Sequence, residues 1–285
     1  MPLHIGKITR LSGFSINVTD LSRAVAFYCD ALGFTQQAAA CGWAELAADG
    51  RDARTATLRL GDQILELAQF GPPGAPYPAA STAADLWFQH FAIVTNDAAA
   101  VYARLQSFGV TAITSGGPQL LPPGAGSVTA FKFRDPDGHP LELIQFPAGS
   151  GDPRWQRGGA GSTLGIDHSA ISVSDAGRSI AFYGELSLTL QTRQTNSGAA
   201  QDHLDGLAQV EVDVIGLAPL LSATPHLELL AYRSPVGREN QPMAGTSDIA
   251  ATRLIFEASD LPDRFSLLRD PDRHVLMLVP SITPL

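Results

Sequence analysis

The sequence predicts an α+β fold of tandem βαβββ units, paired into two domains, with the fourth unit truncated. Three observations carry that prediction. DLSRAVAFY at 20–28 returns as DAGRSIAFY at 175–183, an offset of 155. FRDPDGHPLEL at 133–143 returns as LRDPDRHVLML at 268–278, an offset of 135. A short alternating strand followed by an Asp occurs four times. Self-similarity at fixed offsets marks a repeated supersecondary unit, so four copies of one unit account for the chain.

Each unit opens on a strand: FSINV at 14–18, FAIVT at 91–95, SAISV at 169–173 and LIFEA at 254–258. Alternation with period two and β-branched residues is the strand signature. The Asp that follows (Asp20, Asp97, Asp175 or Asp260) is placed in units one and three to cap a helix, its carboxylate accepting from N–H groups that have no partner in the first turn. Leu21, Val25, Tyr28 and Leu32 then recur at helical spacing and give one apolar stripe to lay on a sheet. TATLRL and QILELAQF return to strand alternation. In RDPDGH (134–139), Pro136 suits a tight turn and Gly138 a positive φ. Its aspartates read as turn chemistry, because a calcium loop of the EF-hand type needs further oxygen ligands and an acidic twelfth residue. Unit four has only LPDRF between Asp260 and its next strand, too little for a helix and a further strand.

Two stretches rich in Pro, Gly and Ala separate units, at 71–85 and 147–163. The second, between the large repeats, sets the expected domains at 1–149 and 164–285. Length agrees, since single cores stop growing at about 250–300 residues and this chain has 285. With 45% apolar and 16% charged residues it buries a core. Lys and Arg total 19 against 28 Asp and Glu, and Lys7 and Lys132 are the only lysines. That charge excludes nucleic acid and anionic membrane as expected partners. A small molecule is the expected partner, with the chain a monomer or homodimer. Two cysteines outside any CxxC pair, no apolar signal block and no run of about 20 apolar residues point to a cytoplasmic setting.

Alternation also defines two slots per unit. The first, seven residues before the Asp, holds Gly13, His90, His168 and Arg253. The second, between two apolar residues of the closing strand, holds Glu66, Glu142, Glu228 and Met277. If the flanking leucines pack on the helix, the slots face the other side of the sheet, inside a cup that two units form together.

The strand–Asp–helix–AFY opening and the RDPDGHPLEL ending resemble the vicinal-oxygen-chelate superfamily over nearly the whole chain. That superfamily includes lactoylglutathione lyase, extradiol catechol dioxygenases, methylmalonyl-CoA epimerases, and fosfomycin and bleomycin resistance proteins. The resemblance implies two open-barrel, glyoxalase-like domains whose slots hold a divalent metal. With units one and two forming one cup, it implies Glu66, His90 and Glu142 as ligands to Mn, Fe or Zn, and Glu142 also as the catalytic base. Three protein ligands with an open position is a catalytic pattern. Gly13 stands where lactoylglutathione lyase has a Gln. In the second half Arg253 and Met277 are poor company for a hard divalent ion, so His168 and Glu228 are expected in a network with Arg253.

The implied activity is metal-assisted proton transfer of the lyase or isomerase type on a small molecule. The alternative is a metal-free binding or antibiotic-resistance protein, with Trp43, Trp87, Phe88, Phe91, Phe131 and Phe133 lining the cup. Extradiol cleavage needs two His and one carboxylate, and the slots of the first half offer one His.

Overall fold

All four opening strands form where alternation places them, and each is buried along most of its length. The computed structural model describes residues 6–47, 51–158, 162–239, 245–261 and 264–281. Unit one contributes β1 (Lys7–Asn17), β2 (Thr35–Gln37), β3 (Ala53–Leu60) and β4 (Gln63–Phe70). Unit two contributes β5 (Gln89–Thr95), β6 (Thr111–Ala112), β7 (Gln119–Leu120), β8 (Thr129–Arg134) and β9 (Pro140–Gln145). Unit three contributes β10 (Thr163–Ser172), β11 (Thr189–Ser197), β12 (Glu211–Ala218) and β13 (His226–Ser234), and unit four β14 (Arg253–Ser259), β15 (Ser266–Arg269) and β16 (Val275–Pro280).

The helices are α1 (Leu21–Ala26, continued by a wider turn over Phe27–Ala31), α2 (Trp43–Ala47), α3 (Ala98–Ser107), α4 (Ala176–Glu185) and α5 (Ala199–Asp205). Asp20, Asp97 and Asp175 each cap a helix, accepting from the N–H groups of Arg23, Ala100 and Arg178. Asp260 instead takes φ +57°, and among the described residues unit four has no helix, as its length requires.

Sheet order corrects the expected pairing. One seven-stranded sheet runs β15-β16-β14-β1-β4-β3-β2, joining units one and four. A nine-stranded sheet runs β11-β12-β13-β10-β5-β9-β8-β6, with β7 on β8, joining units two and three. The 147–163 stretch therefore links strands of one sheet, and the chain changes sheets through 71–88 and 235–252, which bond to each other at Gly74 N–Ser247 O, Ile249 N–Ala75 O and Leu86 N–Arg238 O. The reason is that an opening strand carries no mark of which unit will take its free edge. β5 finds β10 antiparallel beside it, and β1 finds β14.

Units adjacent in sequence meet through their repeated motifs instead. One large core draws on both sheets, with Phe14 of β1 stacked on Phe91 of β5 at a centroid distance of 4.6 Å. The Tyr28 hydroxyl of unit one donates to Asp135 of unit two at 2.9 Å, and Tyr183 of unit three to Asp270 of unit four at 3.1 Å. Asp137 binds Thr19 and Arg23, as Asp272 binds Ser174 and Arg178. These contacts absorb both aspartates of each DPD turn, as turn chemistry requires. Gly138 takes φ +97°, which glycine adopts without strain; the equivalent Arg273 sits at +76°.

Within the first turn, Asp135 Oδ1 accepts from the backbone N–H groups of Asp137 and His139, and Oδ2 from His139 Nδ1 at 3.0 Å. His139 Nε2 faces the Ile249 carbonyl at 2.9 Å, so the imidazolium form satisfies both ring nitrogens. Burial opposes both charges, but the pair prevails, raising His139 above its ordinary 6.5 and lowering Asp135 below 3.8. The raised His contributes stability below pH 6.5 that is lost as pH rises through its folded value. The lowered Asp contributes above 3.8 and loses its share as pH falls through its own. His139→Gln is thus expected to lose about 1–3 kcal/mol between about pH 4 and 6.5. Denaturant melts across pH should show that difference narrowing at alkaline pH; a constant difference would exclude the charged pair.

Candidate metal centre

In all four units the residue two past the first slot lies directly opposite the second slot: Ser15 faces Glu66, Ala92 faces Glu142, Ala170 faces Glu228 and Ile255 faces Met277. Antiparallel pairing of β5 with β10 then sets His90 opposite Ala170 and His168 opposite Ala92. Rows reading Glu228–Ala170–His90 and Glu142–Ala92–His168 result, related by a local two-fold. Directly opposed residues share a face, so two imidazoles and two carboxylates project together over a floor of two alanines.

His90 Nε2 lies 2.8 Å from Glu142 Oε2, and His168 Nε2 lies 3.5 Å from both Glu142 Oε2 and Glu228 Oε2. Ligand atoms of His90, Glu142 and His168 fall within 4.8 Å of one another. His168 Nε2 is buried without a hydrogen-bond partner, while its Nδ1 is fixed by Asp167 Oδ2 at 3.1 Å. Asp167 is itself held by the Trp155 indole at 3.1 Å. A carboxylate behind the far nitrogen is how a metal-binding imidazole is oriented, so these residues fit a divalent ion. Asp167, His168 and His226 form a second close group, but it is the side of His168 that Asp167 already occupies.

The charges are strongly coupled. Burial works to raise Glu142, but the approach of His168 and His90 and the charge of Lys132 outweigh it and hold the carboxyl well below its ordinary range. Burial likewise opposes the shift at Glu228, which His168 and His226 bring down to about 2. His168, against its burial, is raised well above the usual imidazole value by Glu228, Asp167 and Glu142. Burial lowers His90 despite Glu142 beside it.

A cavity of about 280 Å³ opens over these residues. Its wall includes Lys132, which pairs across the ladder with Glu142 and whose Nζ donates to Asp205 at 2.6 Å. Tyr232 and Gln201 also donate to Asp205, at 2.9 and 2.8 Å. The expected aromatic lining is absent among the described residues: Phe91, Phe131 and Phe133 belong to the core, and Phe146 and Tyr232 are the cavity's aromatics.

Glu66 is not brought to this site. It lies in the seven-stranded sheet, where it accepts from Ser15 Oγ at 3.0 Å and from the backbone N–H groups of Trp43 and Ala44 at 2.9 and 2.7 Å. Gly13 supplies no opening either: a Cβ there would sit 2.2 Å from the Ile64 carbonyl oxygen. Nor do His168 and Glu228 meet Arg253, which stands on β14 and donates to Asn17 and the Thr246 carbonyl. The slots were legible, but their grouping followed the wrong pairing. Asp167, His226, Lys132 and Asp205 were missed. For Lys132 the signal is FKF, whose alternation sends the lysine to the face opposite two core phenylalanines.

A sequence model for the Glyoxalase/Bleomycin resistance protein/Dioxygenase superfamily matches residues 5–143. YaeR, an uncharacterized protein of Escherichia coli K12, is 35% identical over 133 residues, which span 46% of this chain and 92% of YaeR. The crystal structure of one mutant of glyoxalase I from Zea mays superposes with a TM-score of 0.60 at 20% identity, over 95% of this chain and 92% of that one. A second mutant of the same maize enzyme, in another crystal form, gives 0.58 at 19% identity, over 95% and 94%. At such identities the likeness is one of fold.

Proposed function

The chain belongs to the Glyoxalase/Bleomycin resistance protein/Dioxygenase superfamily, and from that membership we propose that it is a metal-dependent enzyme of the lyase or isomerase type, moving a proton on a small molecule in the cup of the nine-stranded sheet. The observation that carries this reading is the convergence of His90, Glu142, His168 and Glu228 on one cavity, with His168 Nε2 buried between two carboxylates and without a hydrogen bond. Two imidazoles and two carboxylates suit Mn²⁺, Fe²⁺ or Zn²⁺. Such an ion, when bound, polarises a substrate oxygen and makes the neighbouring C–H more acidic.

The protein's own part is to place a carboxylate beside that hydrogen. Glu142 is the proposed ligand and base, with Glu228 its counterpart across the local two-fold. Lys132, held in the cavity wall by Asp205, adds a fixed positive charge beside Glu142. His226 approaches Glu228 Oε1 at 3.4 Å and steadies it.

Proton transfer leaves a direct trace, the exchange of a substrate C–H for deuterium. Small α-hydroxy ketones and aldehydes incubated in D₂O with metal-loaded protein are expected to exchange the hydrogen next to the carbonyl, followed by proton NMR. Glu142→Gln should slow that exchange by about 10²–10⁴-fold. Exchange undiminished in Glu142→Gln would remove its role as base.

One observation favours a second reading. The group His90, Glu142 and His168 supplies the two imidazoles and one carboxylate of a non-haem Fe²⁺ oxygenase site, which the first half alone could not. Oxygen consumption with catechols by the Fe²⁺-loaded protein, without deuterium exchange, would select it. Glu228 as a fourth ligand leaves less room for oxygen and substrate together, which supports the proton-transfer reading.

A further inference from the structure

The cup of the seven-stranded sheet holds Arg253 and Met277 where the other cup has its His and Glu, and it has a cavity of about 310 Å³. Ala251, Leu267 and Val275 give it an apolar wall, and Arg253 and Arg269 give it two guanidinium groups. Strand register explains how they meet. Glu66, Ser15, Arg253, Val275 and Arg269 form one continuous row across β4, β1, β14, β16 and β15. Arg253 and Arg269 thus flank Val275 on the same face, at a separation of about two strand spacings.

Arg253 is only 1% exposed. Its hydrogen bonds go to neutral oxygens, Asn17 Oδ1 at 3.1 Å and the Thr246 carbonyl at 2.6 Å. Among the described residues no carboxylate oxygen comes within 4.0 Å of either guanidinium. Glu66, two strands away on the same row, acts on Arg253 through its charge alone, since Ser15 and two backbone N–H groups take up its oxygens. A buried cation with no carboxylate in contact is costly, and a guanidinium fork matches a carboxylate in two parallel hydrogen bonds.

We propose that this cavity is a second ligand site, distinct from the metal cup, which binds a small organic carboxylate with an apolar body. The carboxylate sits on Arg253 with Arg269 at the mouth, and the apolar body lies against Leu267 and Val275. The apolar wall favours an organic acid over inorganic phosphate, which would bring more charge than apolar contact into the cavity. The volume lies at the lower end for small-molecule pockets and suits a ligand of benzoate size.

Calorimetric titration of the full chain with benzoate tests this, with benzamide and inorganic phosphate as comparisons. One saturable site is expected for benzoate, with a dissociation constant below about 1 mM. Benzamide, the neutral isostere, should bind at least about tenfold more weakly, and excess EDTA should leave benzoate binding unchanged. Arg253→Met should weaken benzoate about thirtyfold or more, because it removes the partner of a desolvated charge. Arg269 is exposed, so Arg269→Gln is a second variant that keeps the fold; it should weaken binding severalfold. No saturable binding, equal affinity for benzamide, tighter binding of phosphate, loss of binding with EDTA, or unchanged affinity in Arg269→Gln would each overturn the proposal.

Discussion

Protein purified without an affinity tag is expected to carry close to one equivalent of divalent metal, and to lose it in His90→Ala, Glu142→Gln, His168→Ala and Glu228→Gln while keeping it in Glu66→Gln. The contrast follows from strand register. His90 and His168 stand on neighbouring strands, and each of Glu142 and Glu228 joins them one strand further out. Glu66 lies in the other sheet with its oxygens taken by protein donors. Each ligand loss should weaken the metal by more than the roughly 10–100-fold typical of the groups that merely support ligands. Elemental analysis of the five variants reads this directly. Loss of metal in Glu66→Gln with retention in His168→Ala would restore the grouping that the linear order of units suggests. A wild-type chain that takes up no Mn²⁺, Fe²⁺ or Zn²⁺ under anaerobic conditions would remove the centre altogether.

Lys132→Met is expected to be the most destabilising single change outside the core, at about 3–5 kcal/mol. Lys132 is 4% exposed and, among the described residues, its ammonium is the one cation paired with Asp205, which is 2% exposed. Tyr232 and Gln201 would remain as donors to Asp205, but they are neutral. The cost arises from the carboxylate left behind rather than from the worth of the pair itself. Lys132→Met with Asp205→Leu should therefore recover much of the loss, since two apolar residues leave no unpaired charge. Denaturant midpoints of both variants decide it. A single variant within about 1 kcal/mol of wild type, or a double variant no more stable than the single, would show that the pair does not carry this burden. The same single variant should also lower metal affinity less than any ligand variant, because Lys132 borders the centre without supplying a ligand atom.

Local rules made much of the molecule legible. The capping aspartates, the alternating strands, the AFY stripe and the DPD turns are each settled by residues within a few positions of one another, and all form as their chemistry dictates. The slots were legible for the same reason, because alternation fixes which face a side chain takes once the strand is known. Even the truncation of unit four could be counted, since LPDRF leaves no length for a helix.

What the sequence could not contain was the identity of the neighbour across each free strand edge. Four opening strands of similar composition offer equivalent backbone donors and acceptors, and the linkers are long enough to allow more than one pairing. Tertiary structure chose β5 with β10 and β1 with β14, while the Tyr28–Asp135 and Tyr183–Asp270 bonds tied consecutive units together through the core side. That choice turned two half-sets of ligands into one complete set and left Glu66, Arg253 and Met277 in a cup of different chemistry. Which groups stand on a strand's cup face is a property of a few adjacent residues. Which groups share a cup is a property of strand edges brought together from more than 70 residues apart, as His90 and His168 are.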